Sequence, residues 1–386
     1  MNGTSWYICK NGEWERISSI TVDTQGWSKG KDGELRKGDS SDVIYKYEQA
    51  EAKWLLANER DSSLKLNGCT ANRKGIVSKS SVDDTYYICT YEGSRTFSTY
   101  DNYYYNDDSY EWYRATEVEY NTYGKMCSDA EVGEIIDGSV TVSNKYYCTG
   151  AHWVNMTDWN WVVPKELRFN PEITYGSMTD SRDEKVYRTV KIGNQVWMAE
   201  NLNYADSVKT PSLKGKSWCY DNEAENCAVA GRLYTWAAAI DSVALYDGGN
   251  GVDCGSGKSC TLPAKVQGIC PNGWHLPSEG EWQALFSTAG GKSIADMMLI
   301  LVSQTGWYDG MNGSDALGFS VLPAGVVDSH GGFYAAGNEA CFWSATEMIT
   351  DGYVYAYEVC LYKGTRYMGA YTNSKGGGFS IRCLQN

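Results

Sequence analysis

Residues Cys270-Pro-Asn-Gly-Trp-His-Leu-Pro-Ser-Glu-Gly-Glu-Trp282 read as a turn, a helix cap and the first turn of a helix. Ser278 and Glu281 stand at the spacing of a capping box, in which each side chain satisfies the other residue's backbone N–H. Pro277 lies just outside the cap, where its missing N–H does no harm. Trp282, Leu285, Phe286 and Ala289 recur on one helical face, and Gly290-Gly291 ends the helix. The closing residues Gly378-Phe-Ser-Ile-Arg-Cys383 read as a short strand ending in cysteine. The expectation is that a disulfide bolts this strand to the Cys270 turn.

The chain has 386 residues, enough for two or three domains. A net charge of -14 argues against a nucleic-acid backbone or an anionic membrane surface as partner. The longest apolar run, 297–302, is far too short to span a bilayer, so no membrane insertion is expected. With 30 Tyr and 15 Trp against 7 Phe, most aromatic rings carry a polar handle and suit half-buried sheets and wet interfaces. Thirteen cysteines without a C-x-x-C pair, and three scattered histidines (His152, His275, His330), point to disulfides rather than metal. Disulfides imply an extracytoplasmic home. Met1-Asn-Gly-Thr-Ser-Trp6 has neither the basic nor the apolar part of an export signal. The expectation is therefore a processed chain or a fragment.

The first 160 or so residues repeat. Trp27, Cys69 and Cys127 are each followed six residues later by glycine (Gly33, Gly75, Gly133). About twenty residues on comes Tyr47, Cys89 or Cys148, inside a Tyr-rich stretch, and then a tryptophan: Trp54, Trp112 or Trp153. Trp6-Tyr-Ile-Cys9, followed by Trp14, is the second half of another copy. Fixed offsets of this kind mark repeated modules. The 19–60 copy lacks both cysteines together, so Cys69 is expected to pair with Cys89 and Cys127 with Cys148, leaving Cys9 unpaired. The step from Cys69 to Cys127 is 16 residues longer than that from Trp27 to Cys69, and the Cys89–Trp112 interval is longer by the same amount. An insertion of roughly Ser94 to Ser109, holding Tyr100, Tyr103, Tyr104 and Tyr105, accounts for it. A disulfide closing a loop of about 20 residues contributes about 3 kcal/mol to a module too small to bury much core. The array reads as a spacer; a stacking platform for sugars over Tyr100–Tyr113, with Tyr103, Tyr104 and Tyr105 as its candidate residues, is the sharper alternative.

The expected organisation is a partial β repeat over 1–18, a repeat without its disulfide over 19–60, a repeat with the Tyr-rich insertion over 61–118 and a repeat over 119–162. A Pro-containing, charged linker over 163–184 and a C-terminal domain over 185–386 follow. In that domain Gly193-Asn194 turns a hairpin between Val186–Ile192 and 195–202. Residues 297–302 read as a helix or a buried strand. Tyr353, Tyr355, Tyr357, Val359 and Leu361 share one strand face. The pairings Cys219–Cys227, Cys254–Cys260, Cys341–Cys360 and Cys270–Cys383 use all eight cysteines of this domain, one solution among about 105.

Six blocks carry a resemblance: Tyr187-Arg-Thr-Val-Lys-Ile-Gly-Asn-Gln-Val-Trp-Met-Ala-Glu-Asn-Leu-Asn-Tyr204, Gly231-Arg-Leu-Tyr-Thr-Trp-Ala-Ala-Ala239, Cys270-Pro-Asn-Gly-Trp-His-Leu-Pro-Ser278, Gly318-Phe-Ser-Val-Leu-Pro-Ala-Gly325, Phe342-Trp-Ser-Ala-Thr-Glu347 and Gly378-Phe-Ser-Ile-Arg-Cys383. Together they resemble the Fibrobacter succinogenes major paralogous domain, and in part the formylglycine-generating-enzyme branch of the C-type lectin fold. The resemblance implies an α+β fold, a C-type-lectin-like domain with a mixed sheet and two helices; the repeat offsets place a tandem array of small disulfide-linked β modules before it. The resemblance also implies a secreted or surface protein of a bacterium.

No enzyme is expected. Cys341 and Cys360 read as a structural bridge rather than the reactive cysteine pair of sulfatase-activating proteins, and His275 as a packed residue at the helix entry. No cofactor is expected either, although Asp309, Asn312 and Asp315, with Ser314, offer oxygens for calcium. Such clusters are usually turns, and the Glu-Pro-Asn or Gln-Pro-Asp triplet of sugar-binding lectins is missing. The expected function is binding of a plant polysaccharide or surface glycan, or adhesion, through Trp307, Tyr308, Trp343, Tyr362, Arg366, Tyr367 and Tyr371. For Trp343, within Phe342-Trp-Ser-Ala-Thr-Glu347, a place in the core is the favoured reading. The alternatives are a structural component that assembles with other surface proteins through its repeats, and a variable ligand-binding lectin-like protein.

Overall fold

The computed structural model describes residues 6–10, 13–17, 24, 27–39, 43–57, 59–91, 110–246, 254–255, 258–291, 293–350, 352–362, 368–373 and 375–386. The chain forms two compact units, 1–131 with 136–143, and 132–135 with 144–386.

In the first unit the sequence offsets are strand positions. The first strand of each copy starts eight residues after the Trp or Cys: Leu35–Lys37 after Trp27 and Val77–Lys79 after Cys69. The second strands, Ile44–Glu48 and Tyr86–Tyr91, pair antiparallel with the first and then with Lys53–Leu56 and Tyr110–Arg114. Tyr47 faces Trp54 and Cys89 faces Trp112, as Cys9 faces Trp14 in the partial copy. Gly33, at φ 74°, donates its N–H to the Tyr47 carbonyl, and Gly75, at φ 83°, to that of Cys89. The left-handed backbone that makes this bond is the reason for glycine there. Cys69 and Cys89 are bonded and wholly buried beside Trp112. In the copy without cysteines, Trp27 fills the space, edge-on to Tyr45 and Trp54. The insertion lies outside the described residues, but it leaves and re-enters at one register pair, Tyr91 opposite Tyr110. The side chain of Cys9 and the residues Tyr100, Tyr103, Tyr104 and Tyr105 also lie outside them.

The second unit begins within the fourth copy. Lys145–Cys148 pairs with Trp153–Asn155, placing Cys148 opposite Trp153, and Gly133 donates to the Cys148 carbonyl. Cys127 and Cys148 are both in disulfides. The segment read as a linker, 163–184, is instead built into this unit. Arg168 is buried and donates to the carbonyls of Met156 and Asn160 and to Thr305 Oγ1, and its guanidinium covers the Trp159 ring at 4.9 Å. Its prolines and charges suggest a linker only while partners such as Thr305, 137 residues from Arg168, and Asp315, 145 from Asn170, are unseen.

Strand β1 (Gly176–Thr179) pairs with β2 (Val186–Ile192), β2 with β3 (Gln195–Met198) across the expected Gly193-Asn194 turn, and β3 with β8 (Leu384–Gln385), which pairs with β4 (Trp274–His275). The two ends of the domain thus meet in one sheet. A second sheet is formed by β5 (Glu339–Thr350), β6 (Tyr353–Tyr362) and β7 (Met368–Asn373). The short helices α1 (Ala224–Ala230) and α2 (Trp236–Ala239) precede β4; α3 (Glu279–Ala289) and α4 (Ile294–Leu301) follow it. The ambiguous run 297–302 is therefore largely helical. No single helix among the described residues is long and apolar enough to cross a membrane; α3 and α4 bury Trp282, Leu285, Met298 and Leu301 in the core.

The sheets separate two cores. In β5, Cys341, Trp343 and Ala345 enter one core, with Trp236, Trp274 and Ile381, while Ala340 and Phe342 enter the other, with Trp197, Trp282, Trp307 and Phe319. Val359 and Leu361 of β6 follow the second core and Cys360 the first. Period-two alternation with both faces apolar is what a strand buried on both sides requires. The four expected disulfides of the domain, Cys219–Cys227, Cys254–Cys260, Cys270–Cys383 and Cys341–Cys360, are all present.

Candidate functional site

The capped helix α3 is tied into the fold by a hydrogen-bonded junction at its N-terminus. Glu281 accepts from the Ser278 N–H at 2.8 Å and from the Ser278 hydroxyl at 2.8 Å, and its other oxygen is 2.9 Å from His275 Nε2. The second ring nitrogen of His275 is 2.8 Å from Asn386 Oδ1. Burial pushes the Glu281 carboxyl up, but the contacts with His275 and Ser278 outweigh it and hold it at about 2. Both nitrogens of His275 thus serve to tie the cap to the chain's last residue.

The remaining blocks are structural in the same way. The indole N–H groups of Trp236, Trp343 and Trp307 donate to the carbonyls of Ser344, Tyr234 and Val321 at 2.9, 2.7 and 3.0 Å. Arg382 is buried, with its donors on Asn201 Oδ1 and the carbonyls of Phe319 and Ser320 and its guanidinium over the Phe319 ring.

These positions correct part of the expected ligand surface. Trp307 and Trp343 have no exposed area and belong to the two cores, so neither can stack on a ligand. Their size and apolarity outweigh the polar handle, which the backbone satisfies. Tyr308 is half-buried against Trp159, whose carbonyl accepts from its hydroxyl. Tyr362 packs on the first core at the end of β6, paired with Glu339. Arg366 and Tyr367 lie outside the described residues; Tyr371 is in β7 opposite Glu358, its side chain outside them.

The calcium cluster does not converge. Asn312 accepts from the Trp307 N–H and donates to the Thr157 carbonyl. Asp315 is buried, with both oxygens taken by the Ser320 N–H and hydroxyl at 2.7 and 2.5 Å. Burial pushes its carboxyl up to about 6 against those bonds and the nearby Arg382 charge. Asp309 sits exposed on a turn at φ 54°. All three shape the loop rather than a cage of oxygens. Among the described residues the one cluster of metal-ligating side chains is Glu339, Cys341 and Cys360, and both its sulfurs are spent on one disulfide.

The surface best suited to a ligand is the far half of the β5–β6 hairpin. The face that is core at Val359 and Leu361 continues as Tyr357, Tyr355 and Tyr353, where the sheet outruns the core. Exposure rises along it to 66% at Tyr353. Tyr353 and Tyr355 have ring centroids 6.3 Å apart, near the two-residue spacing of a strand, about 6.7 Å. Met348 lies opposite Tyr355, and its sulfur is 3.2 Å from the Tyr357 hydroxyl. The register shift between Trp343 and Glu347 separates this half of β5 from its buried half. The sequence shows the shared face of these tyrosines. Its use as a surface could have been suspected from the change from Val and Leu to Tyr along it.

Residues 190–385 match the Fibrobacter succinogenes major domain. The chain belongs to this family. The matched residues run from within β2 to the end of β8 and contain the β5–β7 sheet, most of both cores, the capped helix and the tyrosine hairpin, while β1 and the start of β2 precede them. No curated protein and no solved structure matches the chain.

Proposed function

We propose that this protein is a non-catalytic, secreted or surface-displayed binding protein that holds a neutral polysaccharide. The observation that carries this reading is the Tyr353, Tyr355 and Tyr357 ladder, whose rings are spaced along an exposed strand. A sugar ring has an apolar face for stacking and a rim of hydroxyls, and tyrosine meets both needs. A net charge of -14 disfavours an anionic polymer. Twelve disulfide-bonded cysteines suit an oxidising compartment. We read the fold as C-type-lectin-like, on the meeting of β3 with β8 near the two ends of the domain and on the α3 and α4 pair. Adhesion to plant polysaccharide is the biological form this binding takes.

The test is retention of the full chain on insoluble cellulose and xylan, with and without a chelator. Y353A/Y355A/Y357A is expected to be retained more weakly than the parent while its melting temperature stays near the parent's. Equal retention of that variant, or none by the parent, refutes the reading.

A second reading, a component that assembles through its repeats, is favoured by how the 19–60 and 61–118 modules join. Lys46 and Asp61 form a buried ion pair of 3.0 Å, with Lys46 also donating to the Cys69 carbonyl and Asp61 accepting from the Cys69 N–H. Concentration-dependent mass in solution, with no glycan retention, is its signature.

A further inference from the structure

Three aromatic rings from three distant segments are joined by two ring contacts in the second unit. Trp161 and Tyr220 have centroids 5.2 Å apart at 33°, and Tyr220 and Phe333 are 5.4 Å apart at 57°. All three are half-buried, and the residues next in the chain to Trp161 and Phe333, Val162 and Tyr334, are exposed. None belongs to the hairpin ladder, and Trp161 precedes the residues that match the family.

The three rings are braced by their neighbours. Trp159, buried, meets Trp161 edge-on at 4.7 Å. Gly325, at φ 70°, leaves room for Tyr220: a Cβ there would lie 2.6 Å from Tyr220 Cε2 and 2.7 Å from the Tyr334 carbonyl. The next two residues after Tyr220, Asp221 and Asn222, are exposed and held at φ 53° and 61°. Asp and Asn enter the left-handed region more readily than other non-glycine residues, and residues held there concentrate where a surface is shaped for a ligand.

We propose that Trp161, Tyr220 and Phe333 form a second stacking platform for a neutral sugar chain, completed by a residue from outside the major domain. This rests on the carbohydrate reading above and adds to it a second, composite site. The rings supply the apolar face, and the carboxylate and carboxamide next in the chain supply partners for sugar hydroxyls. Glu223 and Glu225, also exposed, add negative charge that repels anionic chains. Two platforms on one unit let a long polymer engage both, raising retention on an insoluble chain above that on a short one.

The test titrates the full-length protein with cellohexaose and xylohexaose, followed by tryptophan fluorescence and calorimetry. Y353A/Y355A/Y357A is expected to keep one hexasaccharide site that still quenches tryptophan emission. Adding W161A or Y220A to it is expected to weaken that site on the order of tenfold, the effect of losing one stacked ring, while W161F largely retains it. The melting temperature of each variant guards against misfolding. If W161A and Y220A fold and bind as before, the second platform is wrong and the proposed function stands. A hairpin variant with no residual site also overturns the platform. A parent protein that is neither retained on polymer nor binds either sugar overturns both.

Discussion

Trp27 packs edge-on against Trp54 with centroids 4.9 Å apart, at the position where Cys69 is bonded to Cys89 in the next module. Arg36 lies over both rings at 4.9 Å, and Asp39 accepts from the Trp27 indole at 2.8 Å. One module is closed by sulfur and its neighbour by rings packed edge-on, on the same hydrogen-bonded frame. W27A should destabilise the 19–60 module by about 2 kcal/mol, less than a fully buried tryptophan because the ring is partly exposed. Hydrogen exchange of residues 43–57 reads this out. Because the Gly33–Tyr47 backbone matches that of Gly75–Cys89, W27C/Y47C should oxidise spontaneously, seen as the loss of two hydrogens in the intact mass. A double variant that stays reduced in air would show the two frames to differ.

Cys270 and Cys383 close a loop across 113 residues, with Cα atoms 5.8 Å apart. Cys254 and Cys260 are six residues apart in sequence. If bridges act by limiting the unfolded chain, C270S/C383S should cost about 4 kcal/mol and C254S/C260S markedly less. Urea denaturation of the two variants gives the order, and a reversed order contradicts the entropic account.

Burial raises the Glu339 carboxyl to about 7 against the hydrogen bond from Tyr362, and Asp315 to about 6. Between their ordinary values of 4.5 and 3.8 and these raised ones, the folded state binds more protons than the unfolded. Their contribution to stability therefore falls as pH rises from about 4 to 7. The urea midpoint of E339Q should accordingly vary less between pH 5 and pH 7.5 than that of the parent. Equal dependence would mean that Glu339 titrates normally.

The Ser278–Glu281 box has the opposite sign. Glu281 is held at about 2, so its contribution is full above about 4.5 and is lost as pH falls toward 2. S278A should cost about 1 kcal/mol at neutral pH. E281Q should cost more, since it also removes the charged partner of His275. Thermal melts at pH 7 and pH 3 separate them: the penalty of E281Q should shrink at the lower pH.

If stacking holds the glycan, retention on xylan should change less than twofold between about 0.05 M and 0.5 M salt, a range that screens surface charges almost completely. Chelation should leave it unaltered, because Asp309, Asn312 and Asp315 serve the loop. Loss of retention on chelation would restore a cation to the mechanism.

Much of the architecture was legible in the amino acids because its signals are local or periodic. The capping box at Ser278, the turn at Gly193-Asn194, and the offsets linking Trp27 to Tyr47 and Cys69 to Cys89 each depend on residues within a few turns or one hairpin. Joint loss of two cysteines identified a pair because a disulfide needs both. Burial is a different matter, since it depends on what arrives from elsewhere. On paper Trp307 and Trp343 look no different from exposed rings; only the tertiary structure, by bringing Val321 and Tyr234 to their indoles, places them in the cores. The segment 163–184 reads as a linker until Met156, Thr305 and Asp315 surround it. Trp161, Tyr220 and Phe333 carry no common pattern in the chain, because what relates them is distance in space, set by the folding of three separate segments onto one surface.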